Sequence, residues 1–191
     1  MDTLIPLTAG PLFGSTALVA VAEMGDKTQL LAFVLAARLK KKLPIVLGIF
    51  CATLLNHALA GGVGTWLARF IEPQVLKWVI AASFFAFALW ALKPDQFNAP
   101  QDLCGTSVFW TTTVAFFLVE MGDKTQLATI ALAARYDALI AVVAGTTLGM
   151  MIANVPAVWL GEALAARVNF KLMRWTAAVL FALLGVLALV M

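Results

Sequence analysis

Two stretches of the chain are identical over eight residues, Glu23-Met24-Gly25-Asp26-Lys27-Thr28-Gln29-Leu30 and Glu120-Met121-Gly122-Asp123-Lys124-Thr125-Gln126-Leu127. Each sets two carboxylates, an amine, a hydroxyl and a side-chain amide into an otherwise apolar segment. Carboxylate, amide and hydroxyl oxygens suit hard cations such as Mn2+, Ca2+ and Mg2+, and no cluster of Cys and His argues for zinc or copper. On a continuous helix at about 100° per residue, Asp26 lies about 60° to one side of Glu23 and Lys27 about 40° to the other. These three side chains then share one face, with Gln29 beyond Asp26 and Thr28 pointing elsewhere unless the helix is broken. Gly25 and Gly122 remove a side chain between the carboxylates, which permits either close helix approach or local unwinding.

Charge at the centre of a membrane helix costs about 2.5–3.5 kcal/mol per residue, so these six groups would cost roughly 15–20 kcal/mol if unpaired. Pairing each lysine with the acids of its own motif, as a purely structural ion cluster, does not balance. Each motif holds two acids and one base, leaving one negative charge per motif and two in all. One divalent cation or two protons would neutralise them, which suggests an electroneutral exchange of one for the other. Glu23, Asp26, Glu120 and Asp123 are the candidate metal ligands. Gly25, Lys27, Thr28, Gln29, Gly122, Lys124, Thr125 and Gln126 complete the motifs.

The elements that carry these groups are expected to be membrane helices. Hydrophobic residues make up 63% of the 191 and charged residues 12%, against about 45–50% and 25% in soluble domains, and the mean hydropathy is +0.97. Apolar runs repeatedly approach the ~20 residues a helix needs to cross a bilayer. Alternating short segments of a transmembrane barrel are not seen. Six spans are predicted: Leu12–Ala37, Pro44–Ala68, Val75–Leu92, Val108–Ala134, Ala138–Ala165 and Leu172–Met191. Met1–Ser15 has no basic region leading into a short apolar core, so no removable targeting peptide is expected. The net charge of +3 is too small to suggest a nucleic-acid partner. Cys51 and Cys104 lack metal or disulfide spacing and are read as incidental.

The chain divides into two three-helix repeats, 1–92 and 108–191, joined by a linker at 93–107 that is rich in turn residues. From Glu23 to Glu120 the offset is 97, and the register persists from Ala36-Ala37-Arg38 to Ala133-Ala134-Arg135, Gly48 to Gly145, Gly64 to Gly161, Trp78 to Trp175 and Phe84 to Phe181. Three spans per repeat is an odd number, so the second copy enters the membrane from the opposite side and the repeats are inverted. Loops after spans one, three and five carry Arg38, Lys40, Lys41, Lys42, Lys93, Arg167, Lys171 and Arg174, whereas the other side has Arg69, Lys77 and Arg135. The positive-inside rule puts the first set in the cytoplasm and both termini outside.

Secondary site candidates are Asn56, His57 and the latter's repeat counterpart Asn154, with Thr53 and Thr146. His57 alone reads more readily as a packed helix residue than as a ligand. Trp66, Trp78, Trp90, Trp110, Trp159 and Trp175 fall near span ends, as interfacial anchors do. Gly61, Gly62 and Gly64 would allow close packing or bending.

The duplicated Glu-x-Gly-Asp-Lys-Thr motif, each copy opening a three-helix half of a chain near 200 residues, resembles the family once called uncharacterised protein family 0016. That family includes Golgi manganese and calcium transporters, chloroplast manganese transporters and bacterial manganese exporters. The resemblance spans essentially the whole chain. It implies cation/proton antiport, with Mn2+ as the first choice and Ca2+ the second, and with the four carboxylates in the family's cation-binding positions. Lacking an N-terminal extension and a long acidic central loop, the chain looks like the bacterial members, which implies a bacterial inner (plasma) membrane. The partners expected are a divalent cation, protons and the bilayer. No resident cofactor, catalytic residue or enzymatic activity is expected, and a homo-oligomer is not indicated. The alternatives are a six-helix exporter of amino acids or other small solutes, whose substrate would meet both acids and lysines, and an intramembrane enzyme, which two identical copies fit poorly because catalytic roles are asymmetric.

Overall fold

The computed structural model describes residues 4–93, 107–160 and 170–190. The linker residues 94–106, with Cys104, and the end of the predicted fifth span lie outside the described residues. Those described are helical throughout: α1 (Leu4–Glu23), α2 (Lys27–Leu39), α3 (Lys42–Ala68), α4 (Pro73–Ala91), α5 (Val108–Glu120), α6 (Lys124–Tyr136), α7 (Leu139–Leu160) and α8 (Phe170–Val190). The predicted spans Leu12–Ala37 and Val108–Ala134 are therefore each two helices. Both breaks follow from the motif glycine, because Gly25 and Gly122 take φ of +82° and +78°, a left-handed geometry that an α-helix cannot continue through.

The two halves keep the same local backbone even where their residues differ. The residues that follow α2 and α6, Lys40 and Asp137, are 97 positions apart, and both adopt left-handed φ, 52° and 46°. At each, the backbone N–H closes on a carbonyl of the last turn, Ala36 and Ala133 respectively, the usual way a left-handed residue ends a helix.

Packing interleaves the halves. α1 lies on α7, its counterpart α5 lies on α3, and α4 packs on α8. The close approaches repeat at the same offset: Gly48 meets Thr112 and the Phe109 carbonyl, while Gly145 meets Ser15 and the Leu12 carbonyl. A Cβ at Gly145 would sit 2.5 Å from the Leu12 oxygen, so Gly145→Val is expected to destabilise the fold by about 1–3 kcal/mol through overpacking. A drop in the melting temperature of detergent-purified protein checks this; an unchanged melting temperature would show that the α1–α7 contact is not tight. Gly61 and Gly64 likewise seat α3 against α6 and α7, whereas Gly62 faces open space; close packing accounts for the first two. Where α4 meets α8, the equivalent residues Phe84 and Phe181 stack at 6.4 Å. Lys42 at the start of α3 reaches the Trp159 carbonyl at 3.2 Å and lies over its ring, a further tie between the halves.

The exterior is apolar. Ile140, Leu89 and Trp110 are 85%, 73% and 63% exposed, and all six tryptophans face outward to a similar or lesser degree, far more apolar surface than a water-soluble monomer exposes in contiguous patches. α3, α4 and α7 are each long and apolar enough to cross a membrane. These features fit a helical membrane protein whose largely apolar interior also holds a cluster of buried polar and charged side chains.

Candidate metal centre

Glu23 is the last residue of α1 and Asp26 the first residue before α2, so the motif straddles the break. The turn is closed from both sides. The Asp26 N–H donates to the Glu23 carbonyl at 3.1 Å, and the Gly25 N–H donates to Gln29 Oε1 at 2.9 Å. The second motif repeats this, with Asp123 N–H to the Glu120 carbonyl at 3.1 Å and Gly122 N–H to Gln126 Oε1 at 2.6 Å. A broken helix leaves backbone donors that lipid cannot satisfy, and the glutamine supplies one acceptor for them. Gln29 Nε2 then donates to the Ala153 carbonyl on α7 at 2.9 Å, and Gln126 Nε2 to Asn56 Oδ1 on α3 at 3.2 Å. Each break is thereby tethered to the third helix of the other half.

The break is the condition under which Thr28 is not expected to point away. Its hydroxyl donates to Glu23 Oε2 at 2.5 Å, and the Thr125 hydroxyl donates to Glu120 Oε2 at 3.3 Å. The break overturns the expectation that each lysine shares a face with its own acids. Lys27 Nζ lies 3.0 Å from Asp123 Oδ1, and Lys124 Nζ lies 2.7 Å from Asp26 Oδ1. The ion pairs cross from one motif to the other. Neither aspartate caps its following helix through its side chain, which leaves both carboxylates turned into this shared space.

Between the crossed pairs, Glu23, Glu120 and Asp123 each offer a carboxylate oxygen within 4.8 Å of the others, and all three residues are buried. Glu23 Oε1 and Glu120 Oε1 accept no hydrogen bond among the described residues. Buried acceptors left without a donor are costly, and oxygens at this spacing can converge on an ion: those on opposite sides of a Ca2+ are about 4.6–5.2 Å apart. A smaller ion would require the cluster to contract. Of the four carboxylates predicted as ligands, Asp26 lies outside this group of three; it is paired with Lys124 as Asp123 is with Lys27.

The secondary candidates divide. Asn56 joins the site's frame, donating to the Phe117 carbonyl at 3.0 Å while accepting from Gln126. Asn154 turns back on its own helix, to the Met150 carbonyl at 3.0 Å, and Thr146 does the same, to the Val143 carbonyl. His57 and Thr53 are fully buried on α3, and neither ring nitrogen of His57 has a hydrogen-bond partner among the described residues. Sequence reasoning kept the two glutamines as secondary site candidates, not as acceptors for backbone N–H groups freed at the breaks. The signal was present in the six-residue spacing from glutamate to glutamine in both copies, but its meaning depends on the helix break.

Residues 11–99 and 108–191 match the family described as "Divalent cation/proton antiporter GDT1". The chain belongs to this family. A protein of Vibrio cholerae named "Putative manganese exporter" is 47% identical over 168 residues, covering 87% of this chain and 84% of the relative. A "GDT1-like protein" of Synechocystis is 30% identical, covering 97% of each chain. "GDT1-like protein 3" of Arabidopsis thaliana is 25% identical, covering 95% of this chain and 71% of that protein. No solved structure matches. Membership in the GDT1 family rests on nearly the whole chain, and both motif copies fall within the matched residues.

Proposed function

We propose that this GDT1-family protein is a secondary transporter, not an enzyme, that exports a divalent cation from the cytoplasm in exchange for protons, with Mn2+ preferred and Ca2+ also carried. The observation that carries the reading is the meeting of Glu23, Glu120 and Asp123 within 4.8 Å inside a bundle whose lysines pair crosswise with Asp123 and Asp26. The name of the Vibrio cholerae relative supports Mn2+ as the cargo.

In this reading the four carboxylates are the cation's ligands, and Asp26 and Asp123 join as Lys124 and Lys27 withdraw. Thr28 and Thr125 orient the glutamates, and the glutamines hold the breaks open. A buried carboxylate does not remain ionised without a counter-charge. The cation and protons are therefore alternatives at the same oxygens, and four acids against two lysines match one M2+ to two H+. The halves, each of three spans with the first broken at its motif, are inverted repeats in a bacterial plasma membrane with both termini outside the cytoplasm. Rocking of one against the other would expose the site to each side in turn.

Purified protein in liposomes carrying a pH-sensitive dye tests the reading. Adding Mn2+ is expected to drive proton movement in the opposite direction without a membrane current. The absence of any metal-stimulated proton flux would overturn the antiport reading, and a current would overturn the two-proton stoichiometry. Transport of an amino acid, indifferent to millimolar Mn2+, would favour the small-solute alternative.

A further inference from the structure

Arg174 counts, in the sequence, as one of the basic residues that set membrane orientation. Its neighbour Trp175 is 55% exposed on the apolar exterior, but Arg174 is half-buried and lines a narrow polar crevice together with Met24, Gly25, Asp26, Lys124 and Ala177. The crevice joins four parts of the fold: the first helix break, the end of α4, the start of α6 and the first turns of α8. Among the described residues, Arg174 is its only charged side chain outside the two motifs. Space for a water centre there amounts to about 10 Å³, room for a single water molecule at most. A hydrated dication does not pass without the crevice widening.

We propose that Arg174 competes with the transported cation for Asp26, taking over the carboxylate together with Lys124 as the cation departs; this rests on the cation exchange proposed above. The chemistry favours the role. A guanidinium remains charged in any environment and can fork onto a carboxylate. Asp26 is already held by Lys124 at 2.7 Å, and Arg174, lining the same crevice, is placed to offer that acid a second positive charge. In the proposed orientation, α8 begins at the cytoplasmic side, which makes this the intake mouth. A dication arriving there meets Asp26 only by outcompeting two fixed cations, and those cations refill its place once it leaves. Binding stays weak enough for turnover. The repeat counterpart of Arg174 is Lys77 on α4, where an ammonium, with its compact and strongly hydrated charge, replaces the planar fork.

Initial rates of Mn2+ transport against Mn2+ concentration in proteoliposomes test this for the parent, Arg174→Ala, Arg174→Lys and Lys77→Ala. Removing a charge that opposes the cation at an effective dielectric near 20 is expected to lower KM roughly tenfold and to lower kcat as well, because release slows. Arg174→Lys should recover most of both parameters, and Lys77→Ala should keep the parent KM. A merely structural role would lower the amount of active protein without lowering KM. Parent-like or raised KM in Arg174→Ala protein of normal thermal stability would overturn the proposal. If that variant does not fold, Arg174→Gln replaces it, and KM must rise in the order Gln, Lys, Arg; any other order overturns the proposal. A parent that carries no Mn2+ defeats the functional reading itself, a result distinct from a transporting parent with an unaltered Arg174→Ala variant.

Discussion

Glu23→Gln and Glu120→Gln are each expected to abolish metal-driven proton flux while leaving the protein folded. Glutamine preserves the volume and keeps an oxygen to accept the Thr28 or Thr125 hydroxyl; what it removes is one negative charge and one exchangeable proton. The loss should exceed roughly 100-fold, since changes one step behind a metal ligand already cost about 10–100-fold in affinity or activity. Both glutamates are fully buried, and each has one oxygen without a hydrogen-bond donor among the described residues. Neutralising either is therefore not expected to lower the melting temperature. Metal-stimulated proton flux in liposomes, read beside thermal stability in detergent, checks both halves of the expectation. Normal transport by both variants would remove the glutamates from the site.

Breaking a crossed ion pair should have the second large effect, this time on stability. Lys124→Met removes the cation that lies 2.7 Å from Asp26, and stranding one member of a buried pair typically costs about 3–5 kcal/mol. Adding Asp26→Asn to Lys124→Met should restore most of that loss, because the uncompensated carboxylate is gone. Adding Asp123→Asn instead should not, although Asp123 belongs to the same motif as Lys124. Melting temperatures of the single and double variants give the coupling energies directly. Equal rescue by the two aspartate changes would show that the lysines serve both motifs without the crossed preference.

The helical class was legible because it is a property of local composition. Residues that face lipid are apolar wherever they fall in the fold, so long apolar runs mark α3, α4 and α7 before any packing is known. The first and fourth spans misled for a related reason. Hydropathy averages over a window and does not register the two or three residues at which Gly25 or Gly122 turns left-handed. A wheel drawn through Glu23 to Gln29 then assigns faces to a helix that stops at Glu23. The wheel holds Thr28 away from Glu23 only while the helix continues; the break brings the Thr28 hydroxyl to Glu23 and the Gln29 amide oxygen to the Gly25 N–H. Gly62 and Gly64 illustrate the same limit on α3: they are alike in sequence, yet Gly64 meets α6 and Gly62 meets nothing.

By itself, the sequence determined the chemistry on offer at the motifs: two matched sets of hard oxygen donors, with two negative charges in excess, in a chain too apolar for water. Those are inventories of residue type and spacing, and the 97-residue offset makes them visible without coordinates. Only the tertiary structure decided which groups meet. Lys124 and Asp26 are 98 positions apart, and what brings them together is the packing of each half's first and second helices on the third helix of the other. The lysines consequently neutralise each other's aspartates, Glu23 and Glu120 each keep one oxygen without a donor among the described residues, and Arg174 comes to line a crevice with Asp26 and Lys124. Charge neutrality could be counted along the chain, but long-range partners in a bundle are chosen by helix packing, which a linear pattern does not encode.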